Sequence, residues 1–153
     1  MKRIILVSLL VLGCCAAEAQ ELVWHNNLNE AIDISNKTKK PLMLFFTGSD
    51  WCGWCKRLQG EVFQKTEFEI WAKNNVVLVE VDFPRKTPLP QEIRTQNNQL
   101  QQFFAVRGYP TVWFVNASKQ DGKISFEQLG STGYLAGGPS AWLQAANRIL
   151  QKK

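Results

Sequence analysis

Thr47-Gly48-Ser49-Asp50-Trp51-Cys52-Gly53-Trp54-Cys55-Lys56-Arg57 is the stretch on which the reading of this chain turns. Before it runs Pro41-Leu42-Met43-Leu44-Phe45-Phe46, apolar and of strand type; after it comes a helical pattern with Leu58 and Val62 on one face. Two cysteines separated by two residues at a strand-to-helix junction read as a redox pair. The unpaired N–H groups and the dipole of a helix start favour a negative charge. That position therefore favours the Cys52 thiolate, with Lys56 and Arg57 adding positive potential. Cys55, one turn further in, is expected to be the more buried sulfur and to act second.

Working outward, the 153 residues are 45% hydrophobic and 20% charged, which suits one globular domain with a core. No repeat, low-complexity tract or long linker interrupts them. The net charge of +5 is modest. Its one internal cluster, Lys37-Thr38-Lys39-Lys40, reads as the solvated C-terminal end of a helix and not as a nucleic-acid footprint. Of the six tryptophans, two flank the cysteines, and Trp113 and Trp142 fall on patterned core segments.

The N-terminus carries an export signal. Met1-Lys2-Arg3 is basic, Ile4 to Leu12 is apolar, and Ala17-Glu18-Ala19 is a small-residue cleavage site. Residues 1–19 are read as a cleaved signal peptide and 20–153 as the domain. A rival reading takes Val11-Leu12-Gly13-Cys14 as a bacterial lipobox, with a lipid on Cys14. Either route leads out of the cytoplasm, where disulfides form and persist. Of the four cysteines, Cys14 and Cys15 fall within this leader, so cleavage after Ala19 leaves Cys52 and Cys55 as the only thiols.

Other readings of that pair are weaker. A structural zinc site takes four protein ligands, and the mature chain offers two cysteines and His25. Haem attachment needs a histidine where Lys56 stands. A purely structural bridge across so short a loop constrains the unfolded chain little.

In chain order, Leu22-Val23-Trp24 reads as a first strand, with His25 at the surface beside it. Leu28, Ala31, Ile32 and Ser35 recur at helical spacing behind Asn27 as N-cap. The cysteine helix runs to about Gln64, a further helical piece covers Glu67 to Lys73, and Val76 to Asp82 is a strand. After the proline-punctuated loop Phe83 to Leu89, Pro90 opens a helix with Ile93, Asn97, Leu100 and Phe104 on one face. Gly108-Tyr109-Pro110 ends it. Thr111 to Val115 and Ile124 to Leu129 pair through a turn at Asp121-Gly122. A glycine-rich connection, Gly130 to Gly138, leads to a last helix from Ser140. The order is β-α-β-α-β-α-β-β-α, with parallel crossovers first, a hairpin last and helices on both faces of one sheet.

These motifs resemble the thioredoxin superfamily: Trp51-Cys52-Gly53-Trp54-Cys55-Lys56 after a strand, then Gly108-Tyr109-Pro110-Thr111 before the next-to-last strand. Gly48 to Cys55 and Val81-Asp82-Phe83-Pro84 resemble, more narrowly, exported bacterial thioredoxin-like proteins similar to the soluble domain of the periplasmic reductase DsbD. The resemblance implies an α/β thioredoxin fold, a central mixed sheet of about five strands covered on both faces. It implies that Cys52 attacks and Cys55 resolves. It also implies a cis peptide between Tyr109 and Pro110 beside them, where the backbone pairs with a substrate chain. Trp51, Gly53 and Trp54 would form the contact surface around an exposed attacking sulfur.

Two departures stand out. Many members carry a buried Asp on the strand six residues before the first cysteine, and counting back here reaches Phe46. Their common lysine on the central strand falls at Leu78. Glu80 lies on the same side as Leu78 by strand alternation, and is a candidate for proton transfer or, equally, a solvent-facing strand end. Trp54 also keeps an N–H that the proline of typical thioredoxins lacks, which favours the thiolate and a less reducing pair.

The function implied is a reductase-like thiol–disulfide oxidoreductase of a bacterial periplasm or cell envelope, acting on exported proteins. A disulfide oxidase or isomerase of protein folding is the alternative within the class, and a redox-inactive peptide-binding or chaperone-like module the one outside it. Its partners would be protein or peptide thiols and disulfides and an upstream redox partner, for which a membrane protein is one candidate. No nucleic acid, metal or organic cofactor is implied, and a monomer is the default.

Overall fold

The computed structural model describes residues 22–151; the expected signal peptide, cleavage site and Cys14 lipid site fall outside the described residues. The elements are β1 (Trp24–His25), α1 (Leu28–Thr38), β2 (Leu42–Thr47), α2 (Gly53–Leu58), α3 (Thr66–Asn75), β3 (Val77–Asp82), α4 (Gln91–Phe103), β4 (Thr111–Gln120), β5 (Lys123–Thr132) and α5 (Gly138–Leu150). Between α2 and α3, Gln59–Phe63 form a π-helical turn, closed by the Gln64 N–H on the Gln59 carbonyl at 2.9 Å.

Five strands make one mixed sheet in the order β1-β3-β2-β4-β5. β1 and β2 run parallel to β3; β4 is antiparallel to β2 and to β5. β2, the strand that feeds the cysteine loop, therefore sits at the centre, and all six of its residues are buried. Its continuous apolar run is what a strand covered on both faces requires.

Side-chain alternation splits the core into two layers. Met43 and Phe45 of β2 and Leu78 of β3 face α2, α3 and α5, in the layer that holds Cys52, Cys55, Phe68 and Trp142. Leu42, Leu44 and Phe46, with Val79 and Val81, face α1 and α4. The first layer is largely aromatic: Trp142 is fully buried, with ring centroids of Phe63, Phe68, Trp71 and Phe114 at 5.2–6.2 Å.

This division corrects one sequence reading. Phe46, reached by counting back from Cys52, points into the α1/α4 layer, away from the sulfurs. The strand residue on the cysteine side is Phe45, whose register partner is Glu80. A one-residue slip in the count reverses the face, because the strand period is two.

Other boundaries moved for physical reasons. The first strand is Trp24–His25, and His25 pairs with Val79 with its side chain only 14% exposed, so it is not a surface residue. The β4–β5 hairpin extends well past the core, through polar pairs such as Asn116–Glu127 and Ser118–Ser125. β5 also takes in Gly130, where the glycine-rich sequence predicts a loop. Between the pairs Phe114–Gly130 and Val115–Gln128 the register slips, leaving Leu129 as a bulge. Gly130 has φ +153°, and a Cβ there would press on Ile149 of α5. Pro90 sits one residue before α4, at the N-cap.

Candidate active site

Cys52 is the N-cap of α2, its backbone extended, and its Sγ accepts the N–H of Cys55 at 3.2 Å. It is joined to Cys55 by a disulfide, with Cα atoms 5.3 Å apart. Cys55 is fully buried and Cys52 is 6% exposed, so the outer sulfur is covered except for a narrow window. The cap geometry explains this. An N-cap side chain turns back over the first helical N–H groups, and here it is also tied to a buried partner.

The loop before Cys52 is built from the end of β3. The Ser49 N–H donates to Asp82 Oδ1 at 2.8 Å, and the Phe83 N–H to the Thr47 carbonyl at 2.9 Å. Asp50 accepts from the backbone N–H groups of Arg85, Lys86 and Thr87 at 2.7–3.3 Å. Those donors, Arg85 first, hold the Asp50 carboxyl below the usual carboxylate range. A Cβ on Gly48 would collide with the Trp51 indole, so only glycine allows the chain to pass that close.

The two flanking tryptophans have different surroundings. Trp51 is half-buried: its Nε1 donates to the Phe83 carbonyl at 2.8 Å, Tyr109 meets its ring edge-on at 5.8 Å, and Arg85 lies over it. Trp54 is 55% exposed, with Tyr134 at 5.0 Å and the Arg57 guanidinium at 5.2 Å. Gly53 between them is exposed, with open space around it. Arg57 does not offer a free charge to the cysteines, because its Nε is paired with Glu61 at 2.7 Å.

The Tyr109–Pro110 peptide is cis. Tyr109 stacks on Phe83 at 5.3 Å and donates its hydroxyl to Gln101 at 3.0 Å, so its ring is fixed from two sides. Contact between Tyr109 and Trp51 sets this peptide alongside the cysteine loop. Glu80 is half-buried on the cysteine-facing side of β3; burial, and then the Asp82 charge, push its carboxyl above its ordinary value.

Asp50, Arg85, Phe83, Glu61 and Tyr134 escaped the sequence reading. Each acts through a partner distant in the chain, and no periodicity marks such pairs. A cavity of about 400 Å³ lies behind the loop, lined by Arg85, Lys86 and Arg94 among others; no residue of the cysteine loop borders it. Among the described residues, no three His, Cys, Asp or Glu side chains gather as a metal site would need.

A family model described as thioredoxin-like domain matches residues 28–142. The chain belongs to the thioredoxin-like family. Within that family, it is 38% identical over 144 residues to the disulfide bond reductase DsbH of Chlamydia pneumoniae, covering 84% of this chain and 86% of that protein. A solved structure of DsbH oxidoreductase superposes with a TM-score of 0.75 at 35% identity, over 87% of each chain. The oxidised C-terminal domain of DsbD from Neisseria meningitidis shares the fold, with a TM-score of 0.52 at 22% identity over 80% of this chain and 92% of that one.

Proposed function

We propose that this chain is an exported thiol–disulfide oxidoreductase that works in the reducing direction on protein disulfides. The observation that carries the reading is the Cys52–Cys55 disulfide at the N-terminus of α2, with Cys52 Sγ already accepting a helix N–H. Similarity to a disulfide bond reductase over most of both chains supports the direction.

In the reduced protein, the Cys52 thiolate attacks one sulfur of a substrate disulfide. The substrate S–S bond breaks, and the leaving thiolate takes up a proton. Cys55 then loses its proton and attacks Cys52 Sγ, forming the Cys52–Cys55 bond and releasing the second substrate thiolate. Two electrons pass from the pair to the substrate; the Cys55 proton and one from solvent protonate the two substrate thiolates. The helix start stabilises the Cys52 thiolate that makes the first attack; in the second step the leaving group is the substrate sulfur. Trp51, Gly53 and Trp54 supply the contact surface, and the backbone before Pro110 pairs with the substrate chain. Glu80, held half-buried on the cysteine side of the sheet, takes the Cys55 proton.

Export through the leader at residues 1–19, or lipidation at Cys14, places this chemistry in the periplasm or envelope. There a two-electron donor must regenerate the dithiol. The domain acts as a monomer.

The test is the equilibrium potential of Cys52–Cys55 against glutathione. A value near that of thioredoxin, about −270 mV, supports a reductase, and one near about −120 mV makes the chain a disulfide donor. With Cys55→Ser, a substrate should be held on Cys52 as a mixed disulfide. Activity that survives Cys52→Ser would leave only a peptide-binding module.

A further inference from the structure

Disulfide exchange makes no use of Glu61, yet this residue is the hub of a cluster beside the cysteines. It lies in the π-helical turn that follows α2. One carboxylate oxygen accepts Arg57 Nε at 2.7 Å, and the other accepts the Tyr134 hydroxyl at 2.6 Å. The Arg57 guanidinium is 5.2 Å from the ring of Trp54 and 5.2 Å from that of Tyr134, and the two rings are 5.0 Å apart. Tyr134 follows β5, and the Gly133 carbonyl before it accepts Trp142 Nε1 at 3.0 Å, which ties this connection to the core. A Cβ on Gly133 would lie 3.2 Å from the Pro110 carbonyl oxygen, so the same connection borders the cis peptide.

We propose that Glu61 and Tyr134 are positioning residues: the Glu61 carboxylate clamps Arg57 and Tyr134 against Trp54, and the fixed indole selects substrates with an apolar side chain beside the attacked cysteine. An exposed tryptophan that a substrate must immobilise loses rotamer freedom on binding, and one held in advance does not. Charge-assisted bonds to both carboxylate oxygens make the clamp stiff, and the cation over both rings adds to it. The clamp lies against the indole, which stays 55% exposed, and a ring that is mainly hydrocarbon favours an apolar side chain on the substrate. This inference rests on the oxidoreductase reading above.

The test is single-turnover reduction by the Cys52–Cys55 dithiol at rising concentrations of three disulfides. These are a peptide disulfide with leucine beside its cysteine, its glycine counterpart, and glutathione disulfide. Tyr134→Phe removes the hydroxyl but keeps the ring and every charge. It should raise the half-saturating concentration for the leucine peptide about fivefold, with the maximal rate changed less than about twofold. The other two disulfides, and the equilibrium potential, should not change. In a Trp54→Ala background Tyr134→Phe should have no further effect. Glu61→Gln should reproduce the selective loss. An equal loss for all three disulfides, a loss that persists without Trp54, or no loss at all overturns the clamp. A wild-type dithiol that reduces none of the three sinks the oxidoreductase reading, and this one with it.

Discussion

Arg85 sits over Trp51, its guanidinium carbon 3.8 Å from the ring centroid, while its own backbone N–H is bound by Asp50. The residue before Cys52 is thus held by a loop that begins only after β3. Arg85→Ala removes the cation and keeps the backbone bond. It should loosen Trp51 and slow reduction of a peptide disulfide by about two- to fivefold, the scale of a partly exposed cation–π contact. Stability measured by urea unfolding should barely change. A peptide rate equal to wild type would show that Trp51 is held well enough by Phe83 and Tyr109.

Asp50 predicts a pH dependence. Its carboxyl is held below the usual range by backbone donors, so its contribution is complete above the unfolded carboxylate value. That contribution is lost as pH falls through the lower folded value. Asp50→Ala should therefore lack part of the acid-side loss of stability. It should also speed amide exchange at Lys86 and Thr87 at neutral pH. Unchanged exchange there would mean that the loop does not depend on this carboxylate.

Glu80 predicts the opposite sign. Its carboxyl is raised by burial and by Asp82, so the folded chain holds this proton longer than the unfolded one. Stability should fall as pH rises from the ordinary glutamate value through the raised one, then level off. Glu80→Gln should remove that decline and gain on wild type across the same window. If Glu80 also takes the Cys55 proton, the substitution should move the pH profile of the second exchange step. An unmoved profile leaves Glu80 a partly buried strand residue and no more.

Trp142 carries the core. Trp142→Ala should cost about 3–5 kcal/mol in chemical denaturation, since a fully buried indole leaves a large cavity. It also removes the bond to Gly133, so the variant should lose part of the discrimination between leucine and glycine peptides. A cost below about 1 kcal/mol would mean that the surrounding rings collapse into the space.

Much of this was legible beforehand because it is local. Cys52 to Cys55 on a strand-to-helix junction, the run of β2 and the stripe on α5 are all patterns within one element. What stayed hidden is of two kinds. The outer hairpin leaves the core, so residues such as Ser118 and Lys119 carry no hydrophobic signal of the strand they form. The contacts that shape the site join Asp50 to Arg85 and Glu61 to Tyr134 across 35 and 73 positions, respectively. Such pairs depend on which loops the sheet order brings together. The count that led to Phe46 failed for a third reason: it fixed a distance along the chain, whereas the face of a strand is decided by parity.

The central place of β2 has a consequence for how the molecule opens. Its N–H groups lie between β3 and β4, with both faces covered, so they should exchange with deuterium only when the whole sheet comes apart. The cysteine loop leaves directly from the end of that strand. Fluctuations that separate the loop from its base are then the same rare events that unfold the domain. The sulfurs meet each substrate from a support that stays put, and adaptation falls to the incoming chain.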